Sequence, residues 1–309
     1  MTSAASSCRC VLLVATALPG LCLSLASAAF ADPPPSVTIE AKRDREQLRR
    51  EVNQFVDATI VKPHGDESLL RWKNPVCPLV AGMKREEGEF MLRRLSEVAR
   101  AVNAPLAGQS CSANLFVIVA GNPGGFLELW WRRDRRLFNT EHGNAPVERF
   151  IQTPRPVRAW YNDYEVDPDS GSEIGGLLTQ SMGVGSGIQL KRGNMLPPVG
   201  SRLTYTAVRA IASVIVVIDP QKVAQLNFGQ LADYVSLISL AEINPDKDVG
   251  EVPSILKVFR EPEGAAPQGL SIWDQALLQA VYTSTQKDRM QLSEIRTATM
   301  DAIRTATPH

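Results

Sequence analysis

Ser254 and Lys257 stand one helical turn apart in the stretch Ser254-Ile255-Leu256-Lys257. This is the S-x-x-K spacing, with which a lysine can take the proton of a nucleophilic serine. The motifs that accompany it in hydrolases do not follow, and Lys191-Arg192-Gly193 lies upstream, in the wrong order. An ordinary turn with a structural serine is the competing reading. Asp163 and Glu165, at i and i+2, could face one side of a strand and offer the two carboxylates of a glycosidase, although solvated acids with no such role are commoner. Gly183-Val184-Gly185-Ser186-Gly187 places its glycines wrongly for a nucleophile elbow, and no P-loop or G-x-G-x-x-G occurs. The three histidines, His64, His142 and His309, are scattered. No two of them share a helical turn, as paired zinc ligands on a helix do.

Cysteine placement points to a compartment. Arg9, an apolar run from Val11 to Leu25 and the small residues closing at Ala29-Phe30-Ala31 make the pattern that a signal peptidase reads, ahead of Asp32-Pro33-Pro34-Pro35. Residues 1–31 are therefore expected to be a cleaved signal peptide. A retained membrane anchor is the alternative, disfavoured by Pro19-Gly20 inside the run. A lipoprotein is disfavoured by Leu21 before Cys22. Cleavage removes Cys8, Cys10 and Cys22 and leaves Cys77 and Cys111, which in an exported chain are expected to form one disulfide. The alternative, a pair of metal or redox ligands, lacks a histidine near either cysteine.

The chain carries 33 basic and 33 acidic residues, and loss of Arg9 leaves the mature 278 residues at a net charge of −1. That excludes the basic excess needed for nucleic acid or an anionic membrane. Trp130, Trp131 and the arginines of Arg132-Arg133-Asp134-Arg135-Arg136 could stack on a glycan or a nucleic acid. An amphipathic helix burying tryptophan under solvated arginines is the plainer reading.

Elements follow from periodicity. Helices are expected over 41–60 and 84–103, where Met91, Leu95, Val98 and Val102 share a face. Continuous apolar runs at 114–120 and 211–218 read as buried strands, with a shorter strand at 157–161 and an extended segment at 75–80. Residues 231–243 read as a helix apolar nearly all round, and Ser271-Ile272-Trp273-Asp274 as a capping box opening a helix to Tyr282. A weaker helix runs to the C-terminus. Gly, Ser and Pro dominate 167–200, a long loop with an edge strand expected near Ile188-Gln189-Leu190. The fold class is α+β: a signal peptide at 1–31, one domain at 32–283 and a helical tail at 284–309.

The last third resembles the metzincin metalloproteases. The strand IASVIVVID, the helix ADYVSLISLAE, the turn Pro253-Ser254-Ile255-Leu256 and the helix GLSIWDQALLQAVY follow that family's order of strand, zinc-binding helix, methionine turn and final helix. The chain also resembles a group of exported bacterial proteins with this architecture in degenerate form. The resemblance implies a metzincin-like mixed sheet with a buried helix at the former active site. It does not carry the chemistry. The zinc histidines fall on Ala232 and Ser236, the catalytic glutamate on Asp233, the third ligand on Glu242, the motif glycine on Ser239 and the turn methionine on Leu256. Ala232 has no lone pair and Ser236 is a poor ligand, so no zinc or other cofactor is expected.

These readings describe an exported, non-catalytic, pseudoprotease-like binding protein of the bacterial envelope, periplasmic or secreted, soluble after signal cleavage, with a peptide or an envelope protein as partner. A hydrolase using Ser254 and Lys257, or a structural envelope component, is the alternative. N-terminal sequencing of the exported protein should begin at Asp32. A start inside the apolar run, or an intact Met1 in the membrane fraction, would refute the cleavage.

Overall fold

The computed structural model describes residues 35–62, 68–138, 143–166, 173–174, 208–262, 264–286 and 290–306. The expected signal peptide, His64, His142, His309, and the 167–200 loop apart from Glu173–Ile174, with its expected edge strand, lie outside the described residues. The chain divides into two units, Met1–Arg43 and Asp44–His309. Of the first, only the helical backbone of 35–43 is described.

Helix α1 (Pro35–Thr59) buries Val52, Phe55 and Val56. Strand β1 (Pro78–Ala81), helix α2 (Arg85–Ala101) and strand β2 (Leu115–Val119) follow, with β1 and β2 parallel. Helices α3 (Pro123–Arg133) and α4 (Ala145–Gln152) then lead to β3 (Val157–Val166) and the two-residue β4 (Glu173–Ile174). Strand β5 (Val208–Ile218) inserts between β2, to which it is parallel, and β3, to which it is antiparallel. The sheet order is β1-β2-β5-β3-β4. Helices α5 (Phe228–Leu240), α6 (Ile272–Thr283) and α7 (Met290–Ala306) complete a mixed α+β fold.

Alternation along the central strands builds two cores. Leu115 and Val117 of β2, with Val214, Val216 and Ile218 of β5, join α1, α2, α5, α6 and α7 in the larger one. Phe116, Ile118, Ile215 and Val217 point the other way, onto Leu127 and Trp131 of α3 and Val147 and Ile151 of α4. Both faces of these strands are thus covered, which is why their sequences are continuously apolar. Ile295 and Ile303 of α7 lie in the larger core, so the C-terminal helix is packed into the same unit.

Two elements differ from sequence expectation. Strand β3 is twice the length expected, because Asn162, Asp163 and Glu165 are carried by ladder pairing to β5 and not by burial. Helix α4, only eight residues long, is too short for periodicity to reveal and is held by the burial of Val147 and Ile151. Among the described residues no helix is long and apolar enough to cross a membrane.

Cys77 and Cys111 are disulfide-bonded, with Cα atoms 6.0 Å apart. The bond ties the residue before β1 to the loop that enters β2. Asn114 ties the same two segments, accepting from the Cys77 N–H at 2.7 Å and donating to the Pro75 carbonyl at 3.0 Å. Thiol titration of the denatured, unreduced mature protein should find no free cysteine. Replacing both cysteines by alanine should cost about 3–4 kcal/mol by loss of a loop constraint of this length. Two free thiols, or no change in unfolding midpoint, would contradict the bond.

Candidate functional site

The positions that resemble a protease centre lie on α5, whose residues from Gln230 to Leu240 are all buried. Its N-terminus is closed by a capping box: the Asn227 side chain accepts from the Gln230 N–H at 2.9 Å, and the Gln230 side chain accepts from the Asn227 N–H at 3.0 Å. At the other end, three of the last four carbonyls meet aromatic donors. Tyr161 Oη donates to Ile238 at 2.6 Å, Trp72 Nε1 to Ser239 at 2.8 Å and Tyr282 Oη to Leu240 at 2.5 Å. Burial pushes both tyrosine phenols well above their usual pKa, keeping them protonated as donors.

Three of the four positions singled out by the resemblance, Ala232, Asp233 and Ser236, are buried on α5. Ala232 and Ser236 are fully buried, and the Ser236 hydroxyl bonds back to the Ala232 carbonyl at 2.7 Å. Asp233 is buried and fully engaged. Arg94 of α2 grips it with Nε at 2.5 Å from Oδ1 and Nη2 at 3.2 Å from Oδ2, and the Leu270 N–H reaches Oδ2 at 2.8 Å. Gly269 permits that approach, since a Cβ there would stand 2.6 Å from Oδ2. Glu242 lies beyond the helix, half-buried, where its charge acts on Tyr161. Among the described residues no three histidine, cysteine, aspartate or glutamate side chains gather closely enough to hold a metal ion.

The turn and the final helix do meet α5. Residues Ile255–Phe259 form a 3-10 turn in which Phe259 packs edge-on against Tyr234 of α5 with ring centroids 4.9 Å apart. Ser254 opens that turn and is fully buried, donating to Asp274 Oδ1 at 2.6 Å. Asp274 Oδ2 accepts from the Ile255 N–H, the Ser271 N–H and the Ser271 hydroxyl, each at 2.9 Å. Burial raises the Asp274 pKa while these four donors pull it down. Lys257 pairs with Glu261 at 2.7 Å. The S-x-x-K serine is therefore bonded to an aspartate beyond the reach of substrate, and its lysine is bonded elsewhere.

The remaining candidates are structural as placed. Asp163 pairs with Arg209 at 2.8 Å. Trp131 is buried, with Arg135 stacked over its ring at 5.0 Å, while Arg132, Arg133, Arg135 and Arg136 face solvent. That is the amphipathic arrangement expected of a solvated charge run.

Open space lies at the carboxyl ends of β1, β2 and β5, where α/β sheets commonly receive ligands. A groove of about 620 Å³ is lined mostly by apolar residues, among them Val119, Val223, Phe228 and Leu231, with Lys84 and Glu87 at its α2 side. Gly82 shapes its end: its φ is +84°, and a Cβ would stand 2.1 Å from the Val119 carbonyl oxygen, so only glycine fits. A second hollow of about 510 Å³ lies beside the N-terminus of α3. Sequence reasoning missed Arg71 and Trp72, which cap helix ends, and the residues that frame these hollows, among them Phe228 and Arg158. The only signal for the last was an arginine inside a strand-like run. No family model, curated protein or solved structure matches the chain.

The Arg94–Asp233 pair should behave as a coupled structural contact. Arg94→Ala and Asp233→Ala are each expected to cost about 1–3 kcal/mol, toward the low end because the Arg94 side chain is 34% exposed. The double variant should lose less than the sum by at least about 0.5 kcal/mol in urea titrations. Additive losses would show that the pair carries no coupling.

Proposed function

We propose that the chain is an exported, non-catalytic binding protein of the bacterial envelope, on a metzincin-like scaffold, that holds a peptide or a segment of an envelope protein in the groove beside β1. One observation carries this reading. Asp233 and Ser236 of α5 and Ser254 of the turn are bonded inside the fold, while the accessible concavity next to them is mostly apolar and borders an edge strand. Edge strands receive extended peptides by backbone pairing, with neighbouring pockets taking alternate side chains. Leu79 on β1 keeps 40% of its surface exposed, and Phe228, which packs edge-on against Phe90 with ring centroids 5.4 Å apart, walls the groove. The disulfide agrees with an oxidising compartment. The hydrolase alternative needs a serine that substrate can reach, and Ser254 does not meet that need. A purely structural envelope component would leave the groove without an occupant.

Peptides selected from a displayed random library should bind the wild-type protein and lose affinity by at least about tenfold against Ala224→Arg. Ala224 is exposed on the groove wall, so the substitution blocks the groove without entering the core. Protein purified without chelators should carry substoichiometric zinc and leave a broad peptide-substrate panel uncut. Stoichiometric zinc, chelator-sensitive proteolysis, or peptides indifferent to Ala224→Arg would overturn the reading.

A further inference from the structure

The hollow on the α3 side of the sheet is built differently from the groove. It is framed by the run Gly121-Asn122-Pro123-Gly124-Gly125, which joins β2 to α3, by Arg158 of β3 and Asp219 after β5, and by Glu128 of α3, whose carboxylate is paired with Arg132 at 2.8 Å. The N-terminus of α3 is largely closed. Asn122 Oδ1 takes the Gly125 N–H at 3.0 Å, the Asn122 carbonyl takes the Phe126 N–H at 3.0 Å, and Pro123 has no N–H. The Gly124 N–H is left without an acceptor among the described residues. The dipole of this helix adds positive potential at the same point.

Arg158 is the second, independent feature. Its side chain lines the hollow, yet only 6% of the residue is exposed. Of its five N–H bonds, one on Nη1 reaches the Ile151 carbonyl at 2.6 Å and the one on Nε is sealed inside the fold, which leaves three on Nη1 and Nη2 without an acceptor among the described residues. The guanidinium lies against the first turn of α3, since a Cβ on Gly124 would come 4.0 Å from Nη1. A buried arginine short of acceptors is costly unless something completes its hydrogen bonds. Asp219 stands across from it. Its Oδ1 accepts from the Gln221 N–H at 3.1 Å, and Oδ2 has only Lys222 Nζ at 3.9 Å.

We propose that this hollow binds a protonated oxyanion, free inorganic hydrogenphosphate. Arg158 and the Gly124 N–H hold its oxygens, and Asp219 accepts the hydrogen bond from its P–OH. Arginine suits this task because its planar fork matches phosphate oxygens. Asp219 supplies selectivity. Sulfate, which has no proton to donate near neutral pH, meets the carboxylate as bare repulsion, whereas hydrogenphosphate meets it as a donor. The site is separate from the groove beside β1 and stands whether or not a peptide binds there.

Isothermal titration of the mature protein with inorganic phosphate and with sulfate at matched ionic strength tests the assignment. Phosphate should bind one per chain, and sulfate at least about tenfold more weakly. Phenyl phosphate, whose second pKa of about 6 leaves it without a P–OH near neutral pH, should bind as weakly as sulfate, and binding as tight as that of inorganic phosphate would refute the role given to Asp219. Arg158→Met should weaken phosphate at least about tenfold. Loss of this buried residue can also unfold the chain, so Gly121→Glu serves as the second variant. Gly121 is exposed with nothing within 4 Å of a built Cβ. The added carboxylate at the rim should weaken phosphate to a similar degree at unchanged melting temperature. Asp219→Asn should bring sulfate close to phosphate. No phosphate binding by the wild type up to about 10 mM, equal affinity for sulfate, or indifference to Gly121→Glu would overturn the proposal.

Discussion

A helix buried on every side has no water for its terminal carbonyls, and α5 is such a helix. Each orphaned carbonyl at its C-terminus would cost about 1–3 kcal/mol. Trp72, Tyr161 and Tyr282 remove three of those costs from three separate segments: the stretch before β1, strand β3 and helix α6. These donors reach α5 only if the sheet and the last helices are assembled around it. Arg71, next to Trp72, works in the same way on α6, donating to the Val281 and Ser284 carbonyls. The C-terminal ends of two helices are thereby tied to one short segment of extended chain.

The polar groups of the region follow from that burial. Asp233 on a buried helix requires a partner, and Arg94 provides a two-toothed one. Asp274 in the capping box of α6 requires several donors and takes them from Ser254, Ile255 and Ser271. Helix α5, the Ser254 turn and helix α6 are therefore joined by structural bonds. Asp233 is a brace between α2, α5 and the entry to α6. Side chains held this tightly are poor candidates for chemistry and good ones for stability.

Accessible concavities lie instead at the rim of the sheet, where β1, β2 and β5 end. Two concavities share that rim, one mostly apolar between α2 and α5, the other of mixed character at the start of α3. Parallel strands place the starts of their following helices at the same edge, so both arise from the topology.

The sequence by itself determined the elements with a strong period or a continuous apolar run: α2, β2, β5, α5 and the capped start of α6. It also determined the cysteine pair, since removal of an expected signal leaves just two. Burial leaves a local signature in each of these. The tertiary structure alone decided what the polar residues do. Nothing local distinguishes a serine that could attack from one bonded to a buried aspartate, or says that Asp233 faces Arg94, 139 positions earlier in the chain. The same holds for Arg158, which reads as one more charge in an amphipathic strand. Its missing acceptors exist only because β3, α4 and the turn into α3 converge, and convergence between distant segments is not written in any one of them.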